Sequence, residues 1–439
     1  MFRVLFLVAA AASCAVAHDG RPGRPRFLTG RSGGRVVPRS SGNDIFGPAL
    51  PKLESRQVST DNRCGVKFGT RCPNGDCCSL EGWCGKGPEY CNSPDCQLEF
   101  SDSCDGNKKP QGKDTEKVDR KKVGDVPYGQ GIYDCGVDGA VALTYDDGPF
   151  TFTEDLLNLL KQYKAKATFF ITGTNIGKGA INDRSKPWPA LIKRMFDEGH
   201  QVASHTWSHQ NLTDIKQETF RQQVLWNEVA LADVLDGRFP TYLRPPYSSS
   251  NAKTDGWLAD LGYHIVYFDL DTEGYLHPSP SQIQTSKDIW DKTVPGKDPA
   301  TNKWLAIEHD IIEQSVHNLT EYMLKSLASN GFRSVTVGEC LRDPAENWYR
   351  RMDGAGAKAA EESSAVVEST AQPTPGTDAA TSVVASDAEP AATTAQPSYN
   401  PSLAKRVITK TIEVIPVPAK PNGAPSANGR CGTSFGGAR

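Results

Sequence analysis

Eight cysteines crowd between Cys64 and Cys104: Cys64, Cys72, Cys77, Cys78, Cys84, Cys91, Cys96 and Cys104. A stretch of about 40 residues cannot bury enough apolar surface to fold on a hydrophobic core alone, so this density specifies a small domain stapled by disulfides. A zinc ribbon competes, but the paired Cys-x-x-Cys spacing it needs is absent. Disulfides need an oxidising compartment, and the N-terminus offers the route. Met1-Phe2-Arg3 precedes Val4-Leu5-Phe6-Leu7-Val8 and an alanine-rich run, and Ala15-Val16-Ala17 fits cleavage of a signal peptide (1–17) after Ala17. Of twelve cysteines, Cys14 leaves with that segment. No apolar run of about 20 residues follows, which argues against a transmembrane protein. A formal net charge of -3 argues against nucleic acid as partner.

The 439 residues exceed one ordinary domain. Residues 18–60, rich in Gly, Arg, Pro and Ser without a hydrophobic period, read as a disordered leader, and 61–105 as the stapled module. Residues 106–130, with Arg120-Lys121-Lys122, read as a charged linker, 131–345 as the main domain, and 352–427 as a Ser/Thr/Ala/Pro-rich spacer. Cys135 and Cys340 bracket the main domain; a bridge between them would close a loop of roughly 200 residues, worth about 5 kcal/mol in the chain-entropy account. Asn211 and Asn318 open Asn-x-Thr sequons, glycan acceptors in an exported chain.

Within the main domain, β-branched and aromatic runs predict strands at 140–145, 167–172, 201–204, 241–244, 264–270, 304–307 and 333–337. Helical periods fall between them, including 154–163 and 217–235, the latter with Phe220, Val224, Leu231 and Leu235 on one face. Seven strands alternating with helices argue for an α/β architecture with parallel strands, as an open sheet or a barrel.

The ionisable residues share one position in that pattern. Asp146 and Asp147 follow the first strand, His205 and His209 the third, Asp271 the fifth and His309 the sixth, while Arg244 ends the fourth. Strand ends of this kind converge on one face of a parallel barrel, where such folds place their active sites. His205 and His209, spaced i, i+4, face the same way on a helical turn and suit one metal ion, for which an Asp supplies the third ligand. Successive strand residues point opposite ways, so Asp146 and Asp147 divide the work of base and ligand. Arg244-Pro245-Pro246-Tyr247 is a rigid segment whose Arg suits a carboxylate and whose Tyr247 N–H is left to face a ligand.

At these residues the sequence resembles the NodB-type polysaccharide deacetylases, the family-four carbohydrate esterases, over roughly 135–342. The motifs run in family order: Thr144-Tyr145-Asp146-Asp147-Gly148-Pro149, His205-Thr206-Trp207-Ser208-His209, Arg244-Pro245-Pro246-Tyr247, Asp271-Thr272-Glu273-Gly274-Tyr275 and Leu305-Ala306-Ile307-Glu308-His309. The resemblance implies an irregular (β/α) barrel of about seven strands. It implies one divalent ion, zinc with cobalt as an alternative, on Asp147, His205 and His209. Asp146 is then the base, His309 the acid, Arg244 the tether of Asp146, and the Tyr247 N–H an oxyanion donor. Leu305 lines an acetyl-methyl pocket, with Tyr275 and Asp271 also facing substrate. The family usually has Asp where Gly274 stands and often Trp where Tyr275 stands, which moves the support of Arg244 to Asp271 or Asp269.

The module is similar to hevein-like chitin-binding modules through Cys77-Cys78-Ser79 and Gly82-Trp83-Cys84-Gly85. That likeness implies the pairs Cys64–Cys78, Cys72–Cys84, Cys77–Cys91 and Cys96–Cys104, with Ser79, Trp83 and Tyr90 on the sugar. Together the resemblances imply a secreted, monomeric chitin deacetylase of the extracellular space or cell wall, with no lipid-anchor signal. A non-catalytic chitin-shielding lectin, and an esterase of acetylated xylan or peptidoglycan, are the alternatives. At the C-terminus, Arg430-Cys431-Gly432 echoes Arg63-Cys64-Gly65, so 428–439 reads as the start of a truncated second module, which accounts for the unpaired Cys431.

Overall fold

Ala140-Val141-Ala142-Leu143-Thr144-Tyr145-Asp146 is buried at every position, as a strand covered on both faces must be. It is the central strand of the fold. The computed structural model describes residues 56–353; the signal segment, nearly all of the leader, almost all of the spacer, Cys431 and the C-terminal echo lie outside the described residues. In chain order the strands are β1 (Cys77–Cys78), β2 (Cys84–Gly85), β3 (Gly131–Ile132), β4 (Ala140–Asp146), β5 (Thr168–Ile171), β6 (Gln201–Ser204), β7 (Arg238–Pro240), β8 (Tyr242–Leu243), β9 (His264–Val266), β10 (Leu270–Asp271), β11 (Trp304–His309), β12 (Arg333–Val335) and β13 (Tyr349–Arg351). The helices are α1 (Pro88–Cys91), α2 (Thr153–Gln162), α3 (Trp188–Asp197), α4 (Gln217–Val234), α5 (Ala252–Asp260), α6 (Ile283–Thr293), α7 (Glu321–Ser329) and α8 (Val337–Cys340).

Nine strands form one sheet in the order β10-β11-β4-β5-β6-β8-β9-β3, with β12 beside β4. Every pairing in it is parallel. One edge of β4 is shared: β12 takes Ala140 to Ala142 and β5 takes Thr144 to Asp146. The outermost strands, β10 and β3, do not pair with each other, so the sheet is a curled half-barrel rather than a closed ring. Alternation sorts the side chains. Val141, Leu143 and Tyr145 face outward onto Leu156, Leu160, Ile192 and Leu231, whereas Ala140 and Ala142 face inward with Phe170, Ala203, Tyr242, Val266 and Leu305.

Two expectations change. The strand predicted over 264–270 breaks after Val266, and β10 pairs with β11 at the far edge of the sheet. Asp269 makes the step: its N–H donates to the Leu305 carbonyl at 3.1 Å, and its Oδ1 accepts from the Leu305 N–H at 2.7 Å. Residues 106–130 are not a solvated linker but a strap packed on α4. Glu228, fully buried on α4, accepts from Thr115 Oγ1 and Arg120 Nη1 at 2.6 Å each and from the Tyr263 hydroxyl at 2.7 Å. A buried carboxylate needs such partners, and the strap supplies them. Gln223 and Asn227, also buried on α4, face the sheet instead: Gln223 Oε1 accepts from the Ser208 N–H at 2.8 Å, and Asn227 Nδ2 donates to the Ile171 carbonyl at 2.9 Å.

The cysteines pair as Cys64–Cys78, Cys72–Cys84, Cys77–Cys91, Cys96–Cys104 and Cys135–Cys340. With all eight module cysteines oxidised, none remains to ligate zinc.

Candidate active site

Asp146 ends β4, His309 ends β11, and the two are register partners, so both leave the same rim of the sheet. Arg244 follows β8 and is fully buried inside the curl. Its Nη1 donates to Asp146 Oδ1 and to Thr144 Oγ1, both at 2.7 Å. Nε donates to the Val266 carbonyl at 3.3 Å and Nη2 to the Tyr267 carbonyl at 2.8 Å, with the Phe170 ring 4.1 Å from the guanidinium. The hydrogen-bond support expected from Asp269 or Asp271 therefore comes from backbone oxygens at the break after β9. Asp269 is spent on Leu305, and burial pushes its carboxyl up to about 6.

Asp147 lies just past β4 with a φ of 78°. That left-handed turn swings its carboxylate back beside Asp146, where strand alternation alone would have sent it to the other face. Asp147 Oδ1 stands 3.2 Å from His209 Nε2 and 3.7 Å from His205 Nε2. Asp146 Oδ2 is also 3.7 Å from His205 Nε2. The two histidines do not share a helical turn. Residues 205–209 form an irregular loop in which Thr206 (φ 70°) and His209 (φ 54°) are left-handed, and the rings stand 4.9 Å apart. Side chains other than glycine avoid that region, and such residues gather at functional sites.

The donor set suits a metal ion. His205 Nδ1 lies 2.7 Å from the Arg244 carbonyl, which only accepts, so Nδ1 carries the proton and Nε2 keeps a lone pair. Burial holds His209 down at about 4 against the pull of Asp147, leaving it neutral. Burial opposes the charge on Asp147, but the imidazoles of His209, His205 and His309 and the Lys178 ammonium outweigh it and hold the carboxyl down at about 2. Asp147 Oδ1 is buried and accepts no hydrogen bond. The three ligand atoms lie within 4.8 Å of one another, a two-His, one-carboxylate set for one divalent cation.

Comparison with known proteins fixes the family. Residues 134–266 match the family model described as polysaccharide deacetylase, and 63–104 match the one described as chitin recognition protein. A chitin deacetylase of Colletotrichum lindemuthianum is 41% identical over 225 residues, which are 51% of this chain and 88% of that protein. The chain belongs to the polysaccharide deacetylase family. A chitin deacetylase of a Pestalotiopsis species is 37% identical over 53% of this chain and 73% of its own. The solved structure of the Colletotrichum lindemuthianum enzyme matches at 41% identity with a TM-score of 0.48, over 51% of this chain and 97% of that one.

In this polysaccharide deacetylase the remaining residues fall unevenly around the cation site. Tyr247 (φ 59°) follows Pro245-Pro246 and sets its ring edge-on to His209 at 4.6 Å. Partial burial, then the carboxylates of Asp147 and Asp95, hold its phenol above the ordinary value. Tyr275 meets His309 edge-to-face at 5.3 Å, and its hydroxyl donates to Asp271 Oδ2 at 3.4 Å. Burial raises the Asp271 carboxyl, with the His309 imidazole pulling the other way. Leu305 does not reach this group. It is fully buried, level with Ala142 and four residues below His309 on the strand. Ile307, on the same face and level with Thr144, is the apolar side chain nearer the rim.

At Gly274, where the resemblance led to an expected Asp, the structure leaves no room for a side chain. A Cβ there would stand 2.5 Å from Ser315 Oγ and 2.7 Å from Glu308 Oε2. Glu308 is buried and bonded to Thr272, and burial pushes its carboxyl up to about 8. Gly274→Asp is therefore expected to destabilise the fold by about 2–3 kcal/mol through overpacking, read as a lower urea midpoint at unchanged slope.

Two buried charges were missed from sequence. Lys178 Nζ donates to the carbonyls of Asp147 (2.6 Å) and Gly148 (2.9 Å), fixing the turn that carries Asp147. Asp310, whose Oδ2 accepts from Thr153 Oγ1 at 2.6 Å, lies close enough to share its field. Burial pushes Lys178 down and Asp310 up, each restrained by the other. An acid continuing a buried strand past His309 was a readable signal for Asp310. Lys178 sits in a loop without period and carries none.

On the module, Trp83 is 47% exposed, with the Arg63 guanidinium 3.6 Å from its ring centre and 4.2 Å from that of Phe68. Tyr90 is partly exposed and packs on Gly85. Ser79 is buried, its Oγ accepting from the Trp83 N–H at 3.4 Å.

Proposed function

We propose that this deacetylase is a secreted enzyme that hydrolyses the N-acetyl groups of N-acetylglucosamine units in chitin, giving chitosan and acetate. The observation that carries the reading is the convergence of Asp146, Asp147, His205, His209, Arg244 and His309 on one rim of the sheet. The substrate follows from what the relatives deacetylate and from the likeness of residues 63–104 to chitin recognition proteins. Secretion follows from the signal segment and five disulfides. Asp147, His205 and His209 hold one divalent cation, zinc by its preference for mixed nitrogen and oxygen ligands. When bound, the cation supplies Lewis acidity.

The chain's own residues do the rest. Arg244 occupies Asp146 Oδ1 and leaves Oδ2 to take the proton of the attacking water. The water oxygen bonds to the acetamide carbon, and the Tyr247 N–H donates to the oxyanion that develops. The His309 imidazole gives a proton to the glucosamine nitrogen as the C–N bond breaks, releasing acetate. Tyr275 and Ile307 wall the sugar and the acetyl methyl, and Trp83 and Tyr90 offer ring faces to the polymer.

A substrate panel tests the reading. Purified protein is expected to release acetate fastest from chitin oligomers. Faster release from acetylated xylan or peptidoglycan reassigns the substrate, and none from any of the three leaves a chitin-binding lectin.

A further inference from the structure

One turn of the cystine-rich module, 92–95, touches the segment that carries His205 and His209 and the loop whose Lys178 holds the turn of Asp147. The Ile176 N–H donates to the Ser93 carbonyl at 2.8 Å, and Gln210 Nε2 donates to the Pro94 carbonyl at 2.9 Å. Gln210 follows His209 directly. Ile176 stands two residues before Lys178, whose ammonium holds the Asp147 carbonyl. The two segments are also joined to each other, since the N–H groups of Gly173 and Thr174 donate to the carbonyls of Thr206 and Trp207.

The fit is close. A Cβ at Gly106 would come within 2.6 Å of Ser208 Oγ, and one at Gly177 within 2.6 Å of Asn92 Nδ2. The turn is itself held from within the module: Asp105 Oδ1 accepts from the Ser93 N–H at 2.8 Å and from Ser93 Oγ at 2.5 Å. The module is anchored a second time by Glu99, whose Oε1 accepts from the Lys216 N–H at 3.1 Å where α4 begins.

These segments need bracing. Ile176 (φ 47°), Thr206 (φ 70°) and His209 (φ 54°) are left-handed, a conformation that persists only where the surroundings hold it. A β-branched residue such as Ile176 is the least suited to that region. Without the module the Ile176 N–H and the Gln210 amide would lose these two acceptors.

We propose that the chitin-recognition module is a supporting wall of the cation site, its 92–95 turn holding Asp147 and His209 in ligand position, and not only an anchor on insoluble polymer. The proposal rests on the reading of Asp147, His205 and His209 as cation ligands. Asp105 and Gln210 are positioning residues in this arrangement.

The test uses the full chain loaded with zinc and reads three quantities: zinc release to a coloured chelator, turnover of soluble N-acetylglucosamine oligomers, and retention on insoluble chitin. Asp105→Ala is expected to speed zinc release about tenfold and to lower kcat on soluble oligomers comparably with KM little changed, while retention on chitin persists. Asp105→Asn, which keeps the acceptor, should restore both. Gln210→Met leaves the module untouched and should speed zinc release in the same direction, which covers the case in which Asp105→Ala unfolds the module. Zinc release unchanged in both Asp105→Ala and Gln210→Met overturns the proposal. Wild-type protein that holds zinc yet releases no acetate sinks the deacetylase reading instead, and the zinc-release comparison still decides the role of the module.

Discussion

Asp146→Asn is expected to cut acetate release from chitin oligomers about 10³-fold, within the range for loss of a general base. The amide keeps the shape and still offers an oxygen to Arg244 Nη1, but it cannot take a proton at the position of Oδ2. Arg244 then loses the charge that balances it in a fully buried site, and breaking such a pair costs about 3–5 kcal/mol. Turnover therefore has to be measured alongside the unfolding midpoint, at a temperature where the variant is folded. Retention on insoluble chitin should survive, because Trp83 and Tyr90 belong to a module folded on its own four disulfides. Turnover within threefold of wild type in folded Asp146→Asn would remove Asp146 from the chemistry.

Stripping the cation is the second large effect. Loss of several kcal/mol of charge stabilisation corresponds to a fall of about 10³-fold or more in turnover. Full activity should return with one equivalent of zinc, and elemental analysis of the purified protein should find close to one ion per chain. His209→Ala should fail to recover, because it removes one of the three donor atoms that meet within 4.8 Å. Undiminished acetate release after exhaustive chelation would refute the cation's part in the reaction.

What could be read in advance divides along physical lines. Each strand predicted in the main domain has a counterpart, because buried parallel strands are written as β-branched and aromatic runs, and their C-terminal ends locate the rim. Asp146, His205, Arg244 and His309 were therefore placeable from sequence. The local geometry was not. Asp147 reaches the pocket through a positive φ, and His209 through a loop with two left-handed residues rather than through helical spacing. Neither conformation leaves a periodic trace.

The support of Arg244 by the carbonyls of Val266 and Tyr267 depends on a strand break that β propensity over 264–270 conceals. Leu305 was assigned to the pocket by motif position, whereas register sets it two layers too deep. The strap over α4 reads as polar linker because Arg120 looks solvated until Glu228 is seen beneath it.

The bridge between Cys135 and Cys340 ties residues 205 positions apart, closing a loop that contains β4 through β12. A protease that nicks any loop in between leaves two fragments that remain covalently one molecule. With the strands still packed, such a nicked chain can go on holding its rim together. A single cut there no longer severs the chain.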